Sequence, residues 1–234
     1  MNNYTLLSVL IPTYNEEEMI AKAIKRTLDA VPGAEIVVVD DGSTDQTISV
    51  VEGLNLPAVK IIKTSENKGK GAAVKEGVKY ISRPITVQID ADLQFLPEEI
   101  PDLIEPISKG SSDIVFGSRY LNPKTIERDS VSPIKRMASL VTSVLISCLC
   151  FKRYTDVFAG MKAWKSQVMR DIDLKIDNFG YEAEIAIMAK KKRYRIIELP
   201  ISYKKRALGE SKIRIARDTF KVLKAIFRTV VFRA

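Results

Sequence analysis

Histidine is absent from all 234 residues. The commonest general base and the commonest zinc ligand are therefore missing, so proton chemistry and metal binding must rest on carboxylates and amides. Cysteine is scarce: Cys148 and Cys150 are the only two. A C-x-C pair is a poor bridge geometry, and both read as reduced packing residues. Long apolar runs are scarce too. The longest, Ala138 to Phe151, "ASLVTSVLISCLCF", has 14 residues, whereas a membrane span needs about 20. It reads as a core or interfacial helix, and no transmembrane span is expected. The opening "MNNYTLLSVLIPTYN" has no basic stretch ahead of an apolar one, so no signal peptide is expected.

Charge is present in excess of one sign, and unevenly. The chain carries +8 overall, but from residue 190 onward there are 15 Lys/Arg against 3 Asp/Glu. That local +12 leaves the first 189 residues at −4. A basic tail on a mildly acidic body points to an anionic partner: a membrane surface, a lipid phosphate or nucleic acid. The tail has few aromatics to stack on bases and no nucleic-acid motif, so no nucleic-acid partner is expected.

The first half alternates short apolar runs with helix-period segments, the pattern of βαβ units and a mainly parallel, Rossmann-like α/β sheet. "LSVLIP", "AEIVVVD", "AVKIIK", "ITVQID" and "DIVFGSR" read as strands. Helices are predicted over 16–28, from about Asp45, over 71–80 and from Pro97. Further on, 133–151 and 181–191 read as helices, "DVFAGMKAW" as a strand or turn, and "YRIIELPISY" as a strand. We divide the chain into one α/β domain, 1–212, and a basic amphipathic helix, 213–234. In that helix basic residues fall at 214, 217, 221, 224 and 228, and apolar ones at 216, 220, 223, 227 and 230. Two such stripes suit a helix lying in a membrane interface, or one docked on its own domain with a wet basic face.

Four strands end in unusual polar residues: "PTYNE", "DDGSTD", "DADLQ" and "GSR". Ligands of open α/β sheets bind beyond the carboxyl ends of strands. Asp90, Asp92 and Gln94 can offer oxygens to one hard cation, Mg²⁺ or Mn²⁺, completed by substrate phosphates and water. The glycines of "NKGKGAAVKEG" shape a turn over 68–71 beside the same strand ends, with direct phosphate contact left open.

The motifs "VLIPTYNEEEMI", "EIVVVDDGSTDQT", "NKGKGAAVKEG", "VQIDADLQFLPEEI" and "FGSR", in this order, resemble family 2 glycosyltransferases of GT-A fold, over about residues 7–215. Among these the chain is most similar to dolichyl-phosphate mannose synthases and related polyprenyl-phosphate hexosyltransferases. The resemblance implies a donor nucleotide-sugar site at Pro12, Tyr14, Asn15, Glu16, Asp40, Lys70, Asp90 and Ala91, with Asp41 as structural neighbour. "YKKRALGESKIR" resembles a phosphate-contacting loop, adding Arg206, Ser211 and Lys212, with Gly209 at its turn. Asp92, Arg206 and Lys212 would be catalytic, and Asp90, Asp92 and Gln94 would hold the metal. Arg119, Lys135, Arg136 and Ser139 would meet the acceptor's phosphate.

Transfer to a hydroxyl needs a carboxylate base, and members of the family that do this carry an "ED" motif. Here the corresponding stretch is "GYEAE", leaving Glu182 and Glu184 as possible bases or as helix-surface residues. A phosphate monoester, with a second pKa of about 6, arrives already deprotonated. The expectation is inverting, metal-dependent transfer of a hexose from a nucleoside-diphosphate sugar to a polyprenyl (dolichyl) phosphate, peripherally at the cytoplasmic membrane face. Mannose from GDP-mannose is favoured, and UDP-glucose is possible. A hydroxyl acceptor is the alternative.

Overall fold

The computed structural model describes residues 4–208 and 215–232. The predicted site residues Ser211 and Lys212, with Gly209, lie outside the described residues. In chain order the elements are β1 (Leu7–Thr13), α1 (Ile20–Ala30), β2 (Glu35–Asp40), α2 (Thr47–Gly53), β3 (Val59–Lys63), α3 (Lys70–Gly77), β4 (Ile85–Gln88) and α4 (Ile100–Ser108). They continue as β5 (Ile114–Ser118), α5 (Pro133–Cys150), β6 (Lys162–Lys165), α6 (Ser166–Ile172), α7 (Tyr181–Lys191), β7 (Ile196–Pro200) and α8 (Ile215–Phe232).

The sheet has seven strands in the order β3-β2-β1-β4-β6-β5-β7. All pair in parallel except β6, which runs antiparallel to both β4 and β5. Strand alternation sorts the core into two layers. Leu7, Val9 and Ile11 pack with Ile20 and Ile24 of α1 and Leu103 of α4. Leu10, Val37 and Phe116 pack on the opposite layer, with residues of α3, α5, α7 and α8. The mainly parallel α/β sheet read from the sequence is the one observed.

Two elements depart from expectation. The first helix begins at Ile20, not Glu16. The backbone N–H groups of Asn15, Glu16 and Glu17 donate to Ser43 Oγ, Thr47 Oγ1 and Asp45 Oδ2, which clasps this stretch to the loop after β2. The second departure is β6. Only the end of "DVFAGMKAW" is strand, and its reversed direction brings the chain from Asp156 to Lys162 to the edge where β4 and β5 terminate.

Helices α5 and α8 carry unusual surfaces. In α5 the polar Thr142 and Ser143 are buried, while Ile134, Met137, Val141 and Val144 face outward. Its cap, Phe151, is 94% exposed and adopts a left-handed φ of 47°. The helix is 18 residues long, and by length and composition alone it is long and apolar enough to cross a membrane, with 22% of it buried. It is thus longer than the 14-residue apolar run, because Pro133 to Met137 extend it. Cys148 is exposed rather than packed, whereas Cys150 is buried, and both are free thiols. Helix α8 has three faces, not two. Val222, Ala225, Ile226 and Thr229 dock on the domain, while Phe220, Leu223, Phe227 and Val231 stay exposed.

Candidate active site

A cavity of about 1140 Å³ opens at the edge where β1, β2, β4, β5 and β7 end and the antiparallel β6 begins. Its volume exceeds that of a typical single-ligand pocket, roughly 300–1,000 Å³. The lining includes Pro12, Tyr14 and Glu16 after β1, Lys70 at the start of α3, and Asp90, Ala91, Asp92 and Gln94 after β4. Arg119 after β5, Lys135 and Ser139 of α5, and Arg206 beyond β7 complete it.

The two carboxylates after β4 are each met by a cation. Asp90 Oδ1 stands 2.6 Å from Lys70 Nζ, yet it is buried without an aligned hydrogen bond. Asp92 Oδ2 accepts from Arg206 Nη2 at 2.6 Å, and Arg206 Nη1 also reaches Glu16 Oε1 at 3.3 Å. Burial and the neighbouring Asp90 raise the Asp92 pKa above its ordinary value, with Arg206 pulling the other way. Burial works against the Lys70 ammonium, but Asp90, Tyr181 and Glu182 outweigh it and hold its pKa above the usual lysine range. The acidic corner is therefore short of positive charge. Gln94 donates through Nε2 to the Lys204 carbonyl at 3.0 Å, so its amide oxygen is the atom available as a ligand. Among the described residues no three His, Cys, Asp or Glu side chains form a metal-binding group. Two carboxylates and an amide oxygen, with positions left for water and phosphate, do fit a hard divalent cation.

Gly160 explains how Asp90 fits. A Cβ there would stand 2.7 Å from Asp90 Cγ and nearer still to Oδ2. The Gly160 carbonyl is pinned by Gln88 Nε2 at 3.0 Å. Gly69 plays a related part in "NKGKG". Its φ of +112° and its closeness to the Asp177 carbonyl exclude a side chain; of the turn expected over 68–71, Lys68, Gly69 and Lys70 line the cavity and Gly71 does not.

Several expected residues sit elsewhere. Asp40, expected at the nucleotide, does not line the cavity; its carboxylate accepts from the backbone N–H and hydroxyl of Ser43. Asp41 lines the cavity instead, accepting from the N–H groups of Lys68 and Gly69 at 3.1 and 2.7 Å. Burial raises its pKa. Asn15 is turned from the cavity and joins two loops, its Oδ1 accepting from Thr44 N at 2.8 Å. Arg136 is outside the lining too, with its guanidinium 5.7 Å from the Tyr120 ring. Glu184 is fully buried and accepts from the N–H groups of Lys175 and Ile176, a loop clamp rather than a base. Glu182 does line the cavity, but buried Lys162 holds its Oε1 at 3.0 Å. Arg217 and Lys221 of α8, read as an outward basic stripe, line the cavity.

Architecture of this kind is that of the GT-A glycosyltransferases. The chain superposes on glucosyl-3-phosphoglycerate synthase from Mycobacterium tuberculosis, solved with UDP, at a TM-score of 0.74 and 18% identity, covering 95% of this chain and 79% of that one. Residues 8–158 match the family model "Glycosyl transferase family 2", and the chain belongs to that family. It is 35% identical over 228 residues to a dolichol-phosphate mannosyltransferase of Pyrococcus furiosus, covering 95% of this chain; it spans 63% of the length of that relative. An undecaprenyl-phosphate mannosyltransferase of Micrococcus luteus is 31% identical, with 87% of this chain and 86% of that one covered. A Methanococcus voltae relative, named as transferring N-acetylglucosamine from its UDP derivative to dolichyl phosphate, is 32% identical, with 84% of each chain covered.

Proposed function

We propose that this protein transfers a hexose, with mannose favoured, from a nucleoside-diphosphate sugar to a polyprenyl phosphate. One observation carries the reading: each described carboxylate lining the cavity is already engaged. Glu16 and Asp92 are paired with Arg206, Asp90 with Lys70, and Glu182 with Lys162. Asp41 holds two backbone N–H groups, and Asp218 also has a partner. A hydroxyl nucleophile would need one of them as a base, whereas a phosphate needs none. Among the described lining residues eight Lys/Arg face six Asp/Glu, a surplus suited to two anionic substrates.

In this reading the donor's diphosphate lies at the Asp90–Asp92 corner, with Arg206 offsetting charge that develops as it leaves. Asp90, Asp92 and Gln94 would hold Mg²⁺ or Mn²⁺, which supplies Lewis-acid stabilisation of the leaving diphosphate when bound. Lys212 and Ser211 would join Arg206 in this role. Lys135 meets the acceptor's phosphate with Arg119 and Ser139. Burial lowers its pKa, and the adjacent Arg206 adds to that; an arriving phosphate would offset the repulsion between these two cations. Attack comes from the face of the sugar opposite the leaving group and inverts C1. Relatives named for different sugars leave the donor open in class: GDP-mannose or a UDP-sugar.

The outward apolar residues of α5, Phe151 at its end and the exposed apolar and basic faces of α8 support peripheral residence on a membrane surface, which in this reading is the cytoplasmic face. The lipid tail would stay in the bilayer while its phosphate enters the cavity. The test is transfer from GDP-mannose, UDP-glucose and UDP-N-acetylglucosamine, with Mn²⁺, to a short polyprenyl phosphate or the matching polyprenol. The reading requires an acid-labile sugar–phosphate–lipid from the phosphate alone. Glycosylation of the polyprenol at a comparable rate would favour the hydroxyl-acceptor alternative.

A further inference from the structure

We infer that Asp156 is a positioning residue for the acceptor's phosphate, building Arg119 and Ser139 into one clamp; the inference rests on the reading that the acceptor is a phosphate. Asp156 lies in the segment before β6 and is fully buried. Its Oδ2 accepts from Arg119 Nε at 2.6 Å and from the Arg119 backbone N–H at 3.1 Å. Its Oδ1 accepts from Arg119 Nη2 at 2.9 Å and from the Ser139 hydroxyl at 3.3 Å. One carboxylate thus ties the end of β5 to α5.

The side-on pair occupies Nε and Nη2, so Nη1 is the guanidinium nitrogen it leaves for a ligand. The Tyr120 and Tyr203 rings stand 5.3 and 5.2 Å from the guanidinium carbon and restrict its swing. Arg119 lines the cavity and Asp156 does not, so the acid acts from behind. In a cavity with six described carboxylates, a mobile guanidinium would pair with one of them. A partner outside the lining keeps Arg119 available to substrate. Ser139's bond to Asp156 is long, and Asp156 keeps three Arg119 contacts without it. Rotation of the hydroxyl toward a phosphate therefore costs little.

Asp156 is itself fixed from below. Glu198 of β7 accepts from the backbone N–H groups of Thr155 and Asp156 at 2.9 Å. The Thr155 and Ser118 hydroxyls meet at 2.6 Å. A buried ion pair is weak as a stabilising device, because desolvation offsets most of its attraction. Its value here is orientation. No local pattern signals this, since Asp156 is 37 residues from Arg119 in a stretch with no motif of its own.

The test uses the full chain, with lipid phosphate and nucleotide sugar varied independently, for wild type, Asp156→Asn, Arg119→Gln and the double variant. Asp156→Asn should raise the acceptor KM about 10- to 100-fold, as misplacement of a positioned group does. Donor KM and Mn²⁺-dependent donor binding should change less than about twofold. In the Arg119→Gln background, Asp156→Asn should add less than about twofold, since the acid works through that side chain. Equal effects on donor and acceptor, or effects that multiply in the double variant, would overturn the assignment. Should Asp156→Asn fail to fold, Asp156→Glu keeps the charge and displaces it, and the same acceptor-specific rise is required. A wild-type protein that ignores polyprenyl phosphate would sink the parent reading and this inference with it. A wild type that uses it, with an indifferent Asp156→Asn, would sink this inference alone.

Discussion

Gly160→Ala tests whether the position of Asp90, rather than its presence, matters. The added Cβ would lie 2.7 Å from Asp90 Cγ, where real Cβ contacts do not fall below 3.0 Å, and closer still to Oδ2. The backbone at Gly160 cannot easily yield, because its carbonyl accepts from buried Gln88 at 3.0 Å and β6 is paired on both sides. Asp90 must therefore retreat by about 1 Å, a displacement that costs on the order of 10²-fold in a catalytic constellation. Metal ligands tolerate only about 0.2 Å, so Mn²⁺ affinity should fall with transfer. Overpacking should cost about 1–3 kcal/mol of stability, which in a chain of this size lowers Tm by roughly 2–12 °C. The single tryptophan, fully buried Trp164 on β6, reports unfolding directly. Transfer, Mn²⁺ titration and melting are measured on the same preparation. Folded Gly160→Ala protein with wild-type Mn²⁺ affinity and rate would refute the reasoning.

Asp92→Asn should leave the metal-free protein at least as stable as wild type while abolishing Mn²⁺-dependent transfer. Its folded pKa is raised, so the native state favours the protonated form. The carboxylate is most compatible with folding at acid pH, and stability is lost as pH rises through the folded value. The gain from Asp92→Asn should accordingly appear at neutral pH and vanish below the ordinary carboxylate range, which paired melting curves would show. At the surface, Lys224→Glu with Arg228→Glu should weaken binding to anionic vesicles by roughly 10-fold or more, since each basic residue near such a surface contributes about 1 kcal/mol. Phe151→Ser should weaken it about 10-fold or more on neutral vesicles as well, given the area a Phe buries. Co-sedimentation that is unchanged in both variants would remove the membrane role.

Much of this was readable from the chain because parallel strands announce themselves. "IVVVD" is an apolar run cut off by an acid, "ITVQID" a strand-forming run ended the same way, and the polar punctuation after four strands falls at the edge of the cavity. Asp90, Asp92, Gln94, Arg119 and Arg206 do converge there. What stayed hidden depends on contacts between distant segments. Nothing local distinguishes Asp40 from Asp41, since strand twist and the turn at Ser43 decide which acid faces the cavity. Lys162, Gly160 and Asp156 reach the site only because β6 runs backwards, a direction invisible in "DVFAGMKAW". Docking of α8 on its own domain was one of two readings, but its docked residues were not singled out, because Val222, Ala225 and Ile226 lie beside a second apolar stripe that stays exposed. Glu182 and Glu184 are two residues apart and so point to different sides of α7; Lys162 engages the first and a loop backbone the second.

The most direct test is calorimetric titration of GDP or UDP into wild-type protein and into Asp90→Asn and Asp92→Asn, each with and without Mn²⁺. At least one nucleotide should bind the wild type tightly only when Mn²⁺ is present, and both substitutions should erase that dependence. Nucleotide binding that ignores Mn²⁺, or that survives intact in both variants, would contradict an acidic corner built to hold a cation and a diphosphate.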